Sequence, residues 1–276
     1  MKFWKLHGIG NDFVAIDGRF DNKDASDYSE YAKCVCHRKF SIGADGLLVV
    51  KNSDKCDVEM VYYNADGSRA SMCGNGLRCF VKFVYDNNIV RKEEFSVSTL
   101  DGTKKVKINL KDGEIDTIKV NMGNGSFLCE DIPAISNNET FIGEKLEVLD
   151  RTFKVNAMLM GVPHVVILVD DISLEEVCKY GPLLEKNKIF PKGTNVNFVK
   201  IEDNNNIIVS TWERGCGYTL GCGTGMTASA IICNYLGKVN KSVNAKSEGG
   251  CVKIDIDEFV YMTGPAVKIC EGTLEV

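Results

Sequence analysis

Residues 73–88 read CGNGLRCFVKFVYDNN, and residues 222–237 read CGTGMTASAIICNYLG. Each stretch opens with Cys-Gly-polar-Gly and continues with apolar residues at the 3.6-residue period of a helix that packs on one side. The second stretch ends at Gly237, a residue type common just after helices. We therefore predict two long helices, each opened by a copy of the same cysteine motif.

Short strand patterns surround each predicted helix, as runs rich in β-branched and aromatic residues. They are FVAID (13–17), LLVV (47–50), DVEMVYY (57–63), FSVST (95–99), KVKINL (105–110), TIKVNM (117–122), FKVNAMLM (153–160), VVILV (165–169), NVNFV (195–199), IIVSTW (207–212) and VKIDI (252–256). A third helix is predicted from Ser173, because Ser173 and Glu176 have the spacing of a capping box. The chain thus reads as an α+β protein of two similar domains, with boundaries near residues 117 and 264.

Length and composition narrow the function classes. The 276 residues, 44% apolar and 26% charged, suit one large or two ordinary soluble domains. The net charge of −5 and the lack of a basic, aromatic-rich stripe argue against a nucleic-acid partner. With no run of 18 apolar residues and no signal-peptide pattern, we expect no membrane segment and a cytoplasmic location. The twelve cysteines are then expected to be mostly reduced core residues.

The tightest group of metal-ligand residue types is Cys34, Cys36 and His37, in CVCH. The spacing is not the Cys-x-x-Cys of zinc sites, and no second pair follows. Residues 26–40 around it have the pattern of an amphipathic helix. We therefore predict a structural helix there and no metal site.

The cysteine motif has a chemical use at a helix start. The first turn of a helix carries N–H groups without intrahelical partners and the positive end of the dipole, so it binds a carboxylate or phosphate. A cysteine in that position has its thiol pKa lowered toward neutrality. A single CGNG motif is most simply interpreted as structural, with a buried cysteine and two glycines in a turn. Two copies of the motif favour a functional role. Neither copy has the further residues of a P-loop or a dinucleotide-binding motif.

Two such helix starts, converging on one cleft between two domains, would place a cysteine on each face of a bound ligand. Inverting an α-carbon requires a base on one face and an acid on the other, and a thiolate with a thiol supplies both. N–H groups aimed at the α-carboxylate would stabilise the charge that develops on it. The motif pair therefore predicts an amino-acid racemase or epimerase.

The ordered motifs HGIGNDFVAID (7–17), GADGLLVV (43–50), YYNADGSRASMCGNGLRCF (62–80), GVPHVVILVDD (161–171), GTNVNFV (193–199), WERGCGYTLGCGTG (212–225) and MTGPA (262–266) cover nearly the whole chain. In them the chain resembles the diaminopimelate epimerase family, whose members use no cofactor. The resemblance implies two pseudo-symmetric domains, each a barrel-like β-sheet wrapped around a central α-helix, with the active site in the cleft between them. It further implies that the last strand returns to the first domain, so that residues 1–117 with 265–276 form one domain and 118–264 the other. A homodimer with a small amino-acid substrate is also implied.

The resemblance also assigns roles to single residues. It makes Cys73 and Cys222 the acid/base pair, and His164 and Glu213 the groups that support the two thiols. The backbone donors to the reacting carboxylate would be Gly74, Asn75, Gly223 and Thr224. The far end of the substrate would be recognised by Asn11, Asn64, Asn195, Glu213 and Arg214. Taken singly, these asparagines suit turns, and Glu213 with Arg214 suits an exposed ion pair.

Four positions depart from the family pattern. Val162 replaces the asparagine of Gly-Asn-Pro-His, Gly46 stands where glutamine is common, and Arg69 and Tyr218 stand where glutamate is common. None of them belongs to the cysteine motifs, so the predicted reaction type is unaffected. The substrate stays open between diaminopimelate, which is the leading expectation, and histidine or lanthionine. A binding protein without catalysis is the alternative from another class.

Overall fold

The structure, a computed structural model, describes residues 1–21 and 24–274. The chain separates into two units, which are described in turn: unit 1 comprises Met1–Met122 with Thr263–Val276, and unit 2 comprises Gly123–Met262. Among the described residues no helix has the length and apolar character needed to cross a membrane.

Unit 1 is a mixed sheet with two α-helices. Its strands are β1 (Lys2–Gly8), β2 (Asn11–Asp17), β3 (Gly46–Lys51), β4 (Val58–Asn64), β5 (Glu94–Thr99), β6 (Gly102–Lys111), β7 (Glu114–Gly123) and, from the chain's end, β17 (Val267–Thr273). Its helices are a 3₁₀ turn (Ala25–Tyr28), α1 (Ser29–Val35) and α2 (Gly74–Asp86). The strand order is β17-β1-β2-β3-β4-β5-β6-β7, with β2–β3 and β4–β5 parallel and the other pairs antiparallel.

Unit 2 contains the remaining elements. Its strands are β8 (Glu144–Val148), β9 (Arg151–Met160), β10 (Val162–Leu168), β11 (Asn195–Asp203), β12 (Asn206–Glu213), β13 (Gly217–Thr219), β14 (Ser242–Ser247), β15 (Gly250–Ile256) and β16 (Val260–Gly264). Its helices are α3 (Leu174–Glu185) and α4 (Gly223–Tyr235). The order β8-β9-β10-β11-β12-β14-β15 has β10–β11 and β12–β14 parallel and the other pairs antiparallel.

The two units share one topology. In unit 1 the series of neighbouring strand pairs starts with β1–β2, and in unit 2 it starts with β9–β10. In both units the five successive pairs are antiparallel, parallel, antiparallel, parallel and antiparallel. The helices α2 and α4 lie in the same connection of the two series. This confirms the predicted α+β fold of two pseudo-symmetric halves. The last strand of the chain, β17, pairs with β1. The predicted domain boundaries at 117/118 and 264/265 fall inside β7 and at the end of β16, and stay predictions.

The two central helices are buried to similar extents, with ten buried residues in each, which corrects the prediction that α2 and α4 each pack on one side only. Helix α2 contacts β1, β2 and β3 and buries the predicted stripe that includes Leu77 and Phe80. Helix α4 contacts β9, β10, β11, β12, β14 and β15 and is buried over nearly its whole length. Its buried hydroxyls, on Thr227 and Ser229, donate to backbone carbonyls four residues earlier, which makes all-round burial possible.

The helix predicted over residues 26–40 is shorter than expected. After α1 the chain turns, because the Arg38 guanidinium bonds Asp12 and Asp45 at 2.7 Å each and the Gly43 N–H donates to the carbonyl of Val35. Helix α3 begins as predicted at Ser173, whose hydroxyl accepts from the Glu176 N–H at 3.4 Å.

Candidate active site

Cys73 is the N-cap of α2, with an extended backbone that turns its side chain toward the open end of the helix. Its sulfur accepts from the Gly76 N–H at 3.4 Å, so the thiol contacts one of the donors that lack intrahelical partners. The thiol also lies 3.5 Å from Asn11 Oδ1, to which it donates. Half-buried Cys73 therefore has both a donor and an acceptor within reach.

The amide of Asn11 has a fixed orientation. Its Nδ2 donates to Asp45 Oδ2 at 2.7 Å, and a carboxylate only accepts, so the carbonyl oxygen of Asn11 must face the other way. That oxygen accepts from Cys73 and, at 3.5 Å, from Asn75 Nδ2. Asp45 is in turn held by Arg38. Asp45 was not predicted from the sequence, because its partners Asn11 and Asp12 lie far away along the chain.

A second missed residue is Arg78, one turn into α2. Its side chain is fully buried and donates to Asn75 Oδ1 at 2.8 Å and to the Pro265 carbonyl at 3.1 Å. Burial lowers the pKa of Arg78 to about 10, and the nearby thiols of Cys79 and Cys73 act in the opposite direction. Arg78 thus fixes the Asn75 side chain and brings a positive charge close to Cys73.

Cys222 is the N-cap of α4 in unit 2, and it is 5% exposed. Burial raises the pKa of Cys222 well above its usual value, and the Glu213 carboxylate acts in the same direction. Hydrogen bonds from Thr224, whose Oγ1 lies 3.5 Å from the sulfur, and from the Gly225 N–H act against that rise. At neutral pH Cys222 is therefore a protonated thiol beside a carboxylate. Glu213 is itself oriented by Thr219, whose hydroxyl donates to it at 2.6 Å.

His164, Asn195 and Arg214 form a connected group in unit 2. His164 and Asn195 are register partners on the parallel strands β10 and β11. Asn195 Oδ1 accepts from the Arg214 N–H at 2.7 Å, and the Arg214 side chain donates to the Lys192 carbonyl at 2.8 Å. Burial, and secondarily the charge of Arg214, lowers the pKa of the fully buried His164 to about 3. The imidazole is therefore neutral.

Glu185, at the end of α3, accepts hydrogen bonds from the residues on either side of Glu213 and Arg214. Its buried carboxylate accepts from Trp212 Nε1 at 2.8 Å and from the Gly215 N–H at 3.2 Å. Since both groups donate, an acceptor-only side chain suits this position. Glu185 was not predicted, because it lies on a helix whose local sequence carries no sign of these distant partners.

The remaining predicted residue, Asn64, makes other contacts in unit 1. It accepts from the Tyr62 hydroxyl at 2.9 Å and donates to Ser68 Oγ at 3.0 Å. Its neighbour across the sheet is Gly46, where an added Cβ would lie 2.7 Å from Tyr62 Cε2 and from the Tyr63 carbonyl. This packing explains why a glutamine is absent at position 46. Both of these partners lie within four residues of Asn64 along the chain.

Two further departures from the family pattern lie in unit 2. The Tyr218 hydroxyl donates to Glu248 Oε2 at 2.5 Å, while its ring packs against the apolar core of the unit. Val162 begins β10 and pairs with Met160 of β9, directly after a glycine with positive φ. Gly74 and Asn75, with Gly223 and Thr224, form the first turns of α2 and α4, as predicted from the motifs.

Burial of neutral His164 predicts a pH dependence of stability. The unfolded chain takes a proton near pH 6.5, whereas the folded chain takes it near pH 3, so stability falls as the pH drops below 6.5. Between pH 7 and pH 5 this amounts to about 2 kcal/mol. Urea unfolding at pH 7, 6 and 5 should show this loss in the wild type and a smaller one in His164→Gln. Equal losses of unfolding free energy in the wild type and in His164→Gln would contradict the assignment of this pH dependence to His164.

Comparison with known proteins gives a consistent result. The family model for diaminopimelate epimerase matches residues 3–128 and 156–269. The chain is 46% identical over 274 residues to a diaminopimelate epimerase of Clostridium perfringens, covering 99% of both chains. It is 44% identical over 277 residues to one of Alkaliphilus metalliredigens, covering 99% of this chain and 96% of the relative.

Solved structures show the same fold at low identity. A hydroxyproline epimerase from Agrobacterium vitis superimposes with a TM-score of 0.75 at 14% identity, covering 99% of this chain and 91% of that one. A probable proline racemase from Agrobacterium radiobacter gives 0.74 at 13% identity, covering 100% and 93%. Together with the shared topology of its two units and the matching cysteine N-caps, these similarities show that the chain belongs to the diaminopimelate epimerase family.

Proposed function

We propose that this protein is an isomerase that interconverts LL- and meso-diaminopimelate, with Cys73 and Cys222 as its acid and base. The observation that carries the proposal is that the two thiols occupy the same position, the N-cap of the central helix, in two units of equal topology. The relatives named diaminopimelate epimerase support the substrate, since they match the chain over almost its full length.

In the proposed reaction, a thiolate removes the proton from the α-carbon and the thiol on the opposite face delivers another. The electrons of the broken C–H bond pass into the carboxylate and return to form the new C–H bond, so no oxidant or reductant is consumed. The first cysteine ends as a thiol and the second as a thiolate, which makes the reaction reversible. The first-turn N–H groups of α2 and α4 would bind the carboxylate as its charge grows.

The surroundings of the two cysteines differ in how well they would stabilise a thiolate. Burial and Glu213 keep Cys222 protonated, which suits the proton donor. The Cys73 proton bonds to Asn11 Oδ1, whereas the Gly76 N–H and the buried cation of Arg78 would stabilise the thiolate that forms when this proton leaves. We therefore assign the first proton removal to Cys73 and the first proton delivery to Cys222.

At the far end of the substrate, Arg214 would supply a planar pair of donors for a carboxylate. Asn195 holds the backbone of Arg214, so it acts partly by placing that side chain. The resemblance assigns Asn11 and Asn64 to the same end, but the Asn11 carbonyl oxygen faces Cys73, so we propose that Asn11 contacts the substrate near its reacting carbon. The resemblance further supports a cytoplasmic homodimer that needs no cofactor and binds neither nucleic acid nor a membrane.

Solvent isotope exchange tests the proposal. Purified protein incubated with LL-diaminopimelate in heavy water, without pyridoxal phosphate, should yield meso product with one deuterium at the inverted α-carbon. Mass spectrometry and chiral chromatography measure both. The double variant Cys73→Ala/Cys222→Ala is the control and should give neither. Absence of deuterium in the wild-type product, or exchange with histidine but not with diaminopimelate, would refute the proposed function.

A further inference from the structure

Asn197 is a buried polar residue that connects His164 on β10 to Thr211 on β12. It lies on β11, two residues after Asn195, and its side chain is fully buried. Its Nδ2 donates to the Val165 carbonyl at 2.8 Å and lies 3.3 Å from His164 Nδ1. Its Oδ1 accepts from the Thr211 hydroxyl at 2.9 Å. All of these groups belong to unit 2.

These contacts leave one orientation for the Asn197 amide. A backbone carbonyl accepts only, so the atom 2.8 Å from the Val165 oxygen must be the NH₂ group. The same NH₂ group faces His164 Nδ1, and its second hydrogen points there. If the amide were flipped, Asn197 Oδ1 would face the Val165 carbonyl oxygen, and neither oxygen could donate a hydrogen bond. His164 Nδ1 is consequently an acceptor, and a proton on it would meet the Asn197 N–H.

His164 then carries its single ring proton on Nε2. That atom is buried, and in the part of the chain that the structure describes no hydrogen-bond partner faces it. The residues paired beside His164 on the neighbouring strands are Met158 and Asn195, which do not titrate, and the charged group that acts on the ring is Arg214. Nothing in this surrounding favours a second proton.

We propose that Asn197 is a positioning residue that fixes His164 as a neutral imidazole with its proton on Nε2. Combined with the proposed function, on which this role rests, the assignment gives His164 one task. A neutral ring whose only acceptor is occupied cannot take the proton of a thiol, but its N–H can donate to a thiolate or to a substrate carboxylate. His164 therefore stabilises negative charge during the reaction and does not act as a base.

Nitrogen-15 NMR of histidine-labelled protein reads the tautomer directly and needs no substrate. The chain has three histidines, so the His164 signals are assigned with His164→Gln. In the wild type, we expect an unprotonated Nδ1 and a protonated Nε2 from pH 5 to 8. The population of this tautomer should exceed that of the Nδ1-protonated tautomer by at least about tenfold. In Asn197→Asp, an acceptor-only carboxylate faces Nδ1, so the proton should move to Nδ1 or the ring should become cationic.

Asn156 provides a matched control. It is also a buried asparagine, on β9, which pairs with the strand of His164. Asn156 donates to the Val166 carbonyl at 3.2 Å and accepts the Gly143 N–H at 3.0 Å. Asn156→Asp makes the same chemical change without touching His164, and it should leave the His164 signals unchanged.

A second variant keeps the test decisive if Asn197→Asp does not fold. Asn197→Leu removes the opposing N–H and should let the Nδ1-protonated form appear. The proposal is overturned if wild-type Nδ1 is protonated, if His164 titrates between pH 5 and 8, or if folded Asn197 variants leave its signals unchanged. Isotope exchange is scored separately: a wild type without exchange but with the expected tautomer refutes only the proposed function.

Discussion

Cys73→Ala and Cys222→Ala are each expected to lower kcat by about a thousandfold in both directions, because inversion needs a proton acceptor on one face and a proton donor on the other. Each substitution removes one of the two and leaves the helix start, with its N–H groups, in place. The measurement is the initial rate from LL- and from meso-diaminopimelate with reductant present.

Cys178→Ala serves as the control for the loss of a thiol, since Cys178 is exposed on α3 and touches neither cysteine motif. It should retain the wild-type rate. If either Cys73→Ala or Cys222→Ala kept a rate within tenfold of the wild type, a mechanism with two essential thiols would be wrong.

Gly225→Ala is expected to be far more damaging than Gly76→Ala, although the two glycines hold the same place in CGTG and CGNG. A Cβ at Gly225 would lie 2.3 Å from Asn197 Oδ1, a buried atom held by Thr211. A Cβ at Gly76 would meet the ring of Phe13 at 3.3 Å, which a small shift relieves. We expect Gly225→Ala to lose about 3 kcal/mol of stability from overpacking and a broken buried hydrogen bond.

The displaced Asn197 should also release His164, so kcat of Gly225→Ala should fall more than that of Gly76→Ala. Urea unfolding and initial rates on both variants measure the two effects. Comparable losses at both glycines would show that the contact with Asn197 has no special importance.

Much of the fold was predictable because its central elements carry local signals. The two cysteine motifs are followed by apolar periodicity, and α2 and α4 begin directly after the cysteines. The strands that the patterns missed are β1, β8, β13, β14, β16 and β17. Strand β17 is largely exposed and pairs with β1 from the other end of the chain, so its local sequence has little to signal. The all-round burial of α4 depends on hydroxyl bonds that a hydrophobic pattern does not encode.

Less of the candidate site than of the fold was predictable from the sequence. The motifs indicated the cysteines, and the resemblance indicated His164, Glu213 and Arg214. The residues that orient these groups were not predicted, because each acts through partners distant in sequence. Asn197 reaches back 33 residues to His164 Nδ1, and Asp45 reaches back 34 to Asn11. A buried polar side chain on a strand looks the same in sequence whether its partner is a carbonyl or a histidine.

The closing strand β17 has a consequence for synthesis on the ribosome. Unit 2 is one continuous segment, whereas unit 1 lacks its last strand until the end of the chain emerges. Until then the outer edge of β1 has no β17 to pair with. Once released, the ends of the chain join, as the Met1 amino group donates to the Leu274 carbonyl at 2.6 Å and the Leu274 N–H to the Met1 carbonyl at 2.8 Å. Unit 1 therefore forms only when segments from opposite ends of this sequence pair, whereas unit 2 needs no such pairing.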